Sequence, residues 1–187
     1  MEIAVIGGGH GCHAAAADLS ERGHRVRLWR RDREAFAPIL ERSALTLTDF
    51  QGTRDVSLEL ATTDLTQAVT GTELVLIPLP ATAQVVLGRE LAPLLTDGQV
   101  VFLPPGTFGS YILADAVKRA GTGARVTFAE TGTLPYLARK QATDHIAIRV
   151  RATRLPTGVL PASDWSRALD IIGTAYPSVE PVGDVLS

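Results

Sequence analysis

One cysteine in 187 residues closes off several classes of protein at once. Cys12 has no partner for an internal disulfide, and a multi-cysteine metal site is excluded with it. Excess charge is just as scarce: 18 Lys and Arg stand against 20 Asp and Glu, a net charge of −2. Nucleic-acid and membrane-surface binders normally carry a strong basic excess, so the near-balance argues against both partners. No apolar run approaches the ~20 residues of a membrane span, and Met1–Gly7 runs straight into a strand pattern without a basic leader. The expectation is a soluble, cytoplasmic protein. Aromatics are few, at 5%, yet 45% of the residues are hydrophobic, enough for a sizeable core in one domain spanning residues 1–187.

What is present is a rhythm. MEIAVI, residues 1–6, is short, apolar, rich in β-branched residues and closed by glycines, as a buried parallel strand reads. Gly11–Arg22, with four consecutive alanines, predicts a helix packed closely on something flat. A strand follows at Arg25–Trp29, then a helix from an Asp32 N-cap to about Arg42, with Pro38 its weak point. Two β-like pieces, Ala44–Thr48 and Asp55–Ala61, flank a turn at Gln51-Gly52, and Asp64–Val69 reads as a short helix. Strands at Glu73–Ile77, Gln99–Leu103 and Arg125–Glu130 then alternate with helices at Thr82–Leu95 and Ser110–Ala120. His145–Ala152 alternates as one more strand, Leu155–Pro161 reads as a surface loop, and Trp165–Ala175 as a last helix. Such alternation implies βαβ units: an α/β fold with a doubly wound, mostly parallel sheet of the Rossmann type.

Ile6-Gly7-Gly8-Gly9-His10-Gly11-Cys12 places G-x-G directly after a strand and just before a helix. Gly7 would allow the tight bend, and Gly9 would let the backbone approach a pyrophosphate. The helix start, through His10, Gly11 and Cys12, would offer free N–H donors and the positive end of its dipole. Cys12 stands at the third fingerprint position, where close helix–strand packing is the usual task. A thiol whose pKa is lowered by the helix start is the other reading. A second frame, Gly9-x-Gly11-x-x-Ala14, also fits, but Gly7 follows the strand directly. The bland alternative is a glycine turn that binds nothing, and the strand–turn–helix context weighs against it.

NAD-binding domains usually carry an acid at the end of the second strand, ~20 residues past the glycines, for the ribose 2′-hydroxyl; an Arg suits a 2′-phosphate. This chain has Trp29-Arg30-Arg31-Asp32-Arg33 there. Arg30 and Arg31 point to NADP(H). NAD(H) through Asp32 is the competing reading, and the place of Asp32 as an N-cap weighs against it. A merely solvated basic patch would oppose the helix dipole.

Taken together, GGGHGCHAAAADLSERGHRVRLW resembles the opening of the opine dehydrogenases, the octopine/nopaline dehydrogenase family. Their turn reads closer to G-x-G-N-G-G-H-A, so His13 and Ala14 match while His10 and Cys12 depart. The resemblance continues through Pro78-Leu79-Pro80-Ala81 and Pro105-Gly106-Thr107. It is most specific at Glu130-Thr131-Gly132-Thr133-Leu134-Pro135-Tyr136-Leu137-Ala138-Arg139, which is similar to the family's E-T-x-x-x-P-Y-x-x-R. The resemblance implies a reductive condensation: an amino acid and an α-keto acid form an imine, which NAD(P)H reduces. It also implies a C-terminal helical domain that carries the catalytic His–acid pair. That domain is absent from this chain, whose closing GDVLS resembles the linker leading into it. A helical partner domain or subunit, in a homo- or hetero-oligomer, is expected to complete the enzyme.

Ligands in open α/β sheets bind outside the carboxyl ends of strands, which here carry three loops. Pro78, Leu79 and Pro80 should lie along the cofactor's ribose and adenosine, Pro105, Gly106 and Thr107 border the nicotinamide, and Glu130, Thr131 and Thr133 close the site near the hydride. Arg139 could pair with a substrate carboxylate or a cofactor phosphate, or form a surface salt bridge. None of His10, His13, His24 and His145 has a neighbour that makes an acid/base pair or a metal spacing, so no catalytic residue or metal is assigned, and a structural role suits His13. Two rivals remain. One is the cofactor domain of another dehydrogenase, such as a ketopantoate-reductase-like or 6-phosphogluconate-like enzyme. The other is a non-catalytic NADP-binding module.

Overall fold

The structure, a computed structural model, describes residues 1–182 and 185; apart from Val185, the closing GDVLS lies outside the described residues. The chain begins with β1 (Glu2–Ile6), α1 (His10–Glu21) and β2 (Arg25–Trp29). A 3₁₀ turn at Glu34–Phe36 leads into α2 (Ala37–Arg42), and a hairpin of β3 (Ala44–Asp49) and β4 (Gly52–Ser57) follows. Next come β5 (Leu60–Thr62), α3 (Leu65–Val69), β6 (Leu74–Leu76), α4 (Ala81–Leu91), β7 (Val100–Leu103), α5 (Gly109–Ala120) and β8 (Thr127–Thr131). The remainder is β9 (Tyr136–Lys140), β10 (His145–Arg151), β11 (Leu155–Leu160), α6 (Trp165–Ala175) and β12 (Val179–Pro181).

The large sheet has the order β12-β11-β8-β7-β6-β1-β2-β5, and β5 through β8 in that row are mutually parallel. The chain winds outward from β1 through β2 to β5, then returns to β6 beside β1. This is the expected doubly wound topology, and its reversal between β1 and β6 opens a crevice at the carboxyl ends of those strands. A second sheet, β4-β3-β10-β9, is assembled from segments about half the chain apart, with β3 and β10 parallel.

α1 lies between the two sheets. Cys12 through Leu19 are all buried, including Ala14, Ala15, Ala16 and Ala17 at no more than 2% exposure. A helix enclosed on every side needs short side chains around its whole circumference, and the alanine run supplies them. An ionic network ties α1 to all four strands of the small sheet. Asp18 accepts from Tyr136 Oη at 3.0 Å and from Arg151 Nε at 2.6 Å. Arg151 continues to Asp49 at 2.9 Å, and Arg54 joins Asp49, at 2.8 Å, to Glu21. Hydrogen bonds from Arg54, from the Gln51 N–H and from Arg151 hold the Asp49 carboxyl well below the usual carboxylate range.

Four elements differ from the sequence expectation. The helix expected from Asp32 begins only at Ala37, after the 3₁₀ turn, and Pro38 sits in its first turn, where its missing N–H costs nothing. Leu155–Leu160 is a strand and not a surface loop, antiparallel to β8, with Leu155 and Val159 fully buried. Two prolines and a glycine nearby read as loop chemistry, but burying those apolar residues obliges the backbone to pair, and β8 and β12 offer the partners. Asp55–Ala61 is not one strand: the chain leaves the small sheet after β4 and joins the large one at β5. Tyr136–Lys140, read as part of a motif, is itself a strand.

Asp18→Ala removes the shared acceptor of Tyr136 and Arg151. Arg151 is one-third exposed. The expected loss is therefore about 2–3 kcal/mol, below the usual cost of breaking a fully buried pair. A denaturant midpoint lowered at unchanged m-value checks it.

Candidate functional site

The turn between β1 and α1 is built from contacts that exclude side chains. Gly7 has φ +123°, and its N–H donates to the Trp29 carbonyl at 2.8 Å, pinning the turn to the end of β2. A Cβ on Gly7 would stand 2.5 Å from Leu79 Cδ2 and 2.8 Å from Cys12 Sγ. Gly11 packs against Pro78, where a Cβ would come within 3.3 Å. Gly9 differs: a Cβ there meets nothing within 4 Å, so the backbone faces open space. Gly9 is also the N-cap of α1, and no side chain caps that helix, nor does an acid stand in its first turn. The free N–H donors of the helix start thus open onto a space that an anion can fill closely.

Beneath the turn sits Cys12, fully buried, its sulfur 3.6 Å from the Ile6 carbonyl oxygen and 3.7 Å from that of Pro78. Burial pushes the thiol up to about 11, which overturns the lowered-pKa reading. The Cys12 side chain packs beneath the turn. His13 is buried beside it, with Nδ1 3.0 Å from the Gly9 carbonyl and Nε2 3.1 Å from that of Thr143. Burial, with Lys140 adding to it, lowers the His13 pKa to about 4.

A cleft of about 380 Å³ opens beside Gly7 and Gly8, between the end of β2 and α4. Arg30 runs along it: a Cβ on Gly8 would lie 2.5 Å from Arg30 Cδ, so the guanidinium stem crosses the turn. Its Nη1 donates to the Ala35 carbonyl at 3.0 Å. Asp32 Oδ1 accepts from the Ala35 N–H at 3.0 Å, at the start of the 3₁₀ turn that precedes α2, and Oδ2 stands 3.7 Å from Arg30. Arg31 is on the exposed rim, paired with Glu90 of α4 at 2.6 Å. Leu79 forms part of the cleft wall, and Pro80 is the N-cap of α4.

At the ends of β7 and β8 lies a second cavity, of about 430 Å³, lined by Thr107, Phe108, Glu130 and Gly132 with Pro156 and Gly158 opposite. Glu130 organises it. One carboxylate oxygen accepts from the Phe108 N–H at 2.9 Å and the other from the Ser110 N–H at 3.0 Å, at the start of α5. Gly106 must be glycine for this, since a Cβ would collide with Glu130. Those bonds hold Thr107 and Phe108 at φ +54° and +63°, left-handed values that non-glycine residues adopt at some cost. Thr131 is buried, its carbonyl accepting from the Gly106 N–H at 3.1 Å. Pro105 precedes this loop, Thr133 is exposed with its N–H on Thr131 Oγ1 at 3.3 Å, and Arg139 is exposed without an ion pair among the described residues.

Sequence reasoning missed Lys140. Its backbone N–H donates to His10 Nδ1 at 3.0 Å, and its ammonium lies 3.4 Å from the Gly8 carbonyl. Only its place next to Arg139 hinted at a role, because the strand that carries it to the turn belongs to the second sheet.

Two outcomes follow. Cys12 will resist thiol reagents in the native protein and react on unfolding, read by mass shift. His13 binds protons more readily unfolded, at about 6.5, than folded, at about 4, so stability falls as pH drops from 6.5 toward 4. The loss approaches about 3 kcal/mol and is absent in His13→Gln, measured by denaturation across that pH range.

A family profile described as the NAD-dependent glycerol-3-phosphate dehydrogenase N-terminus matches residues 2–106. The glycerol-3-phosphate dehydrogenase [NAD(P)+] of Thermoanaerobacter sp. (strain X514) is 37% identical over 84 residues, 44% of this chain and 24% of that protein. Octopine dehydrogenase, solved with NADH and L-arginine, superposes with a TM-score of 0.80 at 20% identity, over 100% of this chain and 49% of its own. A ketopantoate reductase of Ralstonia eutropha JMP134 gives 0.72 at 20% identity, over 99% of this chain and 57% of its own. The chain thus spans between a quarter and somewhat over half of the length of these proteins, and its fold is that of the Rossmann-type domain of octopine dehydrogenase. No helix among the described residues is long and apolar enough to cross a membrane. With more than half of its residues matched, the chain belongs to the family of the NAD-dependent glycerol-3-phosphate dehydrogenase N-terminus, as an NAD(P)-binding dehydrogenase domain.

Proposed function

We propose that this chain holds NADP(H) for an oxidoreductase of the opine-dehydrogenase kind, which reduces the imine formed from an amino acid and an α-keto acid. The observation that carries the cofactor reading is the pair Arg30 and Asp32. Arg30 crosses the glycine turn into the cleft, while the Asp32 carboxylate is committed to the Ala35 N–H and to Arg30 itself. A guanidinium with free donors suits a 2′-phosphate, and a carboxylate already engaged is a poor acceptor for a 2′-hydroxyl.

In this reading the adenosine end lies in the cleft against Leu79, with Arg30 and Arg31 at the ribose. Gly9 and the N–H groups of His10, Gly11 and Cys12 face the pyrophosphate. The bound cofactor supplies the hydride. Pro105, Gly106 and Thr107 border the nicotinamide end, and Glu130 and Thr131 act by holding that loop in its left-handed course. Thr133 and Arg139, both exposed, are left for the substrate carboxylates. A helical domain or subunit, in a homo- or hetero-oligomer, protonates and orients the imine.

The imine reading draws on the Glu130–Arg139 segment and on the likeness in fold to octopine dehydrogenase over the whole chain. A second reading, reduction of a small phosphorylated ketone, draws on the family match over residues 2–106. Product analysis separates them: NADPH oxidation that requires both an amino acid and an α-keto acid supports the first, and oxidation by a ketone phosphate alone supports the second. Absence of hydride transfer with either substrate set, even in the presence of a helical partner, favours a non-catalytic module. For the cofactor, calorimetric titration should show NADPH bound more tightly than NADH, and Arg30→Ala should weaken NADPH by about tenfold while leaving NADH nearly unchanged. Equal or tighter NADH binding by the unaltered chain would return the ribose to Asp32.

A further inference from the structure

The hairpin of β9 and β10 reaches the glycine turn from outside the large sheet, and three contacts join them. The Lys140 N–H donates to His10 Nδ1 at 3.0 Å, Lys140 Nζ lies 3.4 Å from the Gly8 carbonyl oxygen, and His13 Nε2 stands 3.1 Å from that of Thr143. The first contact fixes a tautomer. Because Nδ1 of His10 accepts, the neutral ring carries its proton on Nε2, an N–H donor on an exposed side chain at the start of α1.

The ammonium of Lys140 is half-buried and forms no ion pair among the described residues. Burial, with the Arg30 guanidinium adding to it, lowers its pKa. Arg30 reaches the same residue, where a Cβ on Gly8 would lie 2.5 Å from its Cδ, and its own counter-charge, Asp32, is 3.7 Å away and largely exposed. Two cations therefore converge on one residue. Like charges held together in a half-buried place repel more strongly than in water, and an anion between them relieves that repulsion. Lys140 has three donors, of which one is spent on a long bond to Gly8.

We propose that Lys140, supplied by the second sheet, is a phosphate-binding residue of the dinucleotide site, its ammonium meeting the cofactor's pyrophosphate across the turn from the start of α1. This rests on the cofactor reading above and divides the labour between the two cations. Arg30 serves the 2′-phosphate that only NADPH has; Lys140 serves the pyrophosphate that NADPH and NADH share. An ammonium suits this place, because its rotatable donors can pass from the Gly8 carbonyl to phosphate oxygens without the fixed fork of a guanidinium.

The test is titration of the whole chain and of Lys140→Met with NADPH and with NADH at low and high salt, with melting temperatures in parallel. The Met variant should lose about tenfold in affinity for both dinucleotides and show a shallower salt dependence, one phosphate contact fewer. Lys140→Arg should retain most of the binding. Should the Met variant prove unstable, Lys140→Gln carries the test, since it keeps a donor for Gly8 without the charge. Unchanged binding in the neutral variants overturns the proposal, as does a loss confined to NADPH. Weaker binding with unchanged salt dependence overturns it too, because a mere tie between hairpin and turn would behave that way. If the unaltered chain binds neither dinucleotide, the cofactor reading itself fails and takes the assignment of Lys140 with it.

Discussion

The distance at which α1 can lie from the strands around it governs the rest of this molecule. A helix enclosed by sheets on both sides has no solvent face along Cys12–Leu19 on which to place bulk, so its middle is alanine and its polar members must be paired. Asp18 is the consequence: a buried carboxylate tolerated because Tyr136 and Arg151 complete its hydrogen bonds. The same closeness sets the turn ahead of the helix. Gly7 has no room for a side chain between Leu79 and Cys12, and Gly11 little against Pro78. The open space above Gly9 exists because everything beneath it is tightly filled.

The candidate site draws on both sheets. The large sheet contributes the crevice at its reversal point and the loops after β6, β7 and β8; the small sheet contributes the hairpin that meets the turn at His10, His13 and Lys140. Glu130 shows how a charged residue in such a region can be structural. Its carboxylate satisfies two orphan N–H groups around the start of α5, and the loop it holds forms the wall of the second cavity. Removing that carboxylate would act through the position of Thr107 and Phe108.

Much of this was legible in the residues. Short apolar runs alternating with helical ones are local patterns, and β1, β2, β6, β7 and β8 fall where those patterns lie. The glycines and Arg30 were legible for the same reason, since a tight bend and a strand end are set within a few residues. Asp32 was legible only in part: its side chain accepts from the Ala35 N–H, but the helix it was expected to cap begins at Ala37 with Phe36 as its N-cap. Leu155–Leu160 was not, because its prolines and glycine describe a loop in isolation and only the neighbours β8 and β12 make it a strand. Nor was Lys140, whose neighbours in sequence, Arg139 and Gln141, are exposed while its contacts are with residues 8 and 10.

Local chemistry thus settled the doubly wound rhythm, the glycine turn and the cation at the end of the second strand, because each depends on backbone preferences and side-chain types within a short window. The pairing of β3 with β10, the enclosure of α1 and the meeting of Lys140 with Gly8 were decided in three dimensions. They join residues about 100 or more positions apart, and contacts across such distances are fixed by which buried surfaces fit together, a property no short window of sequence contains.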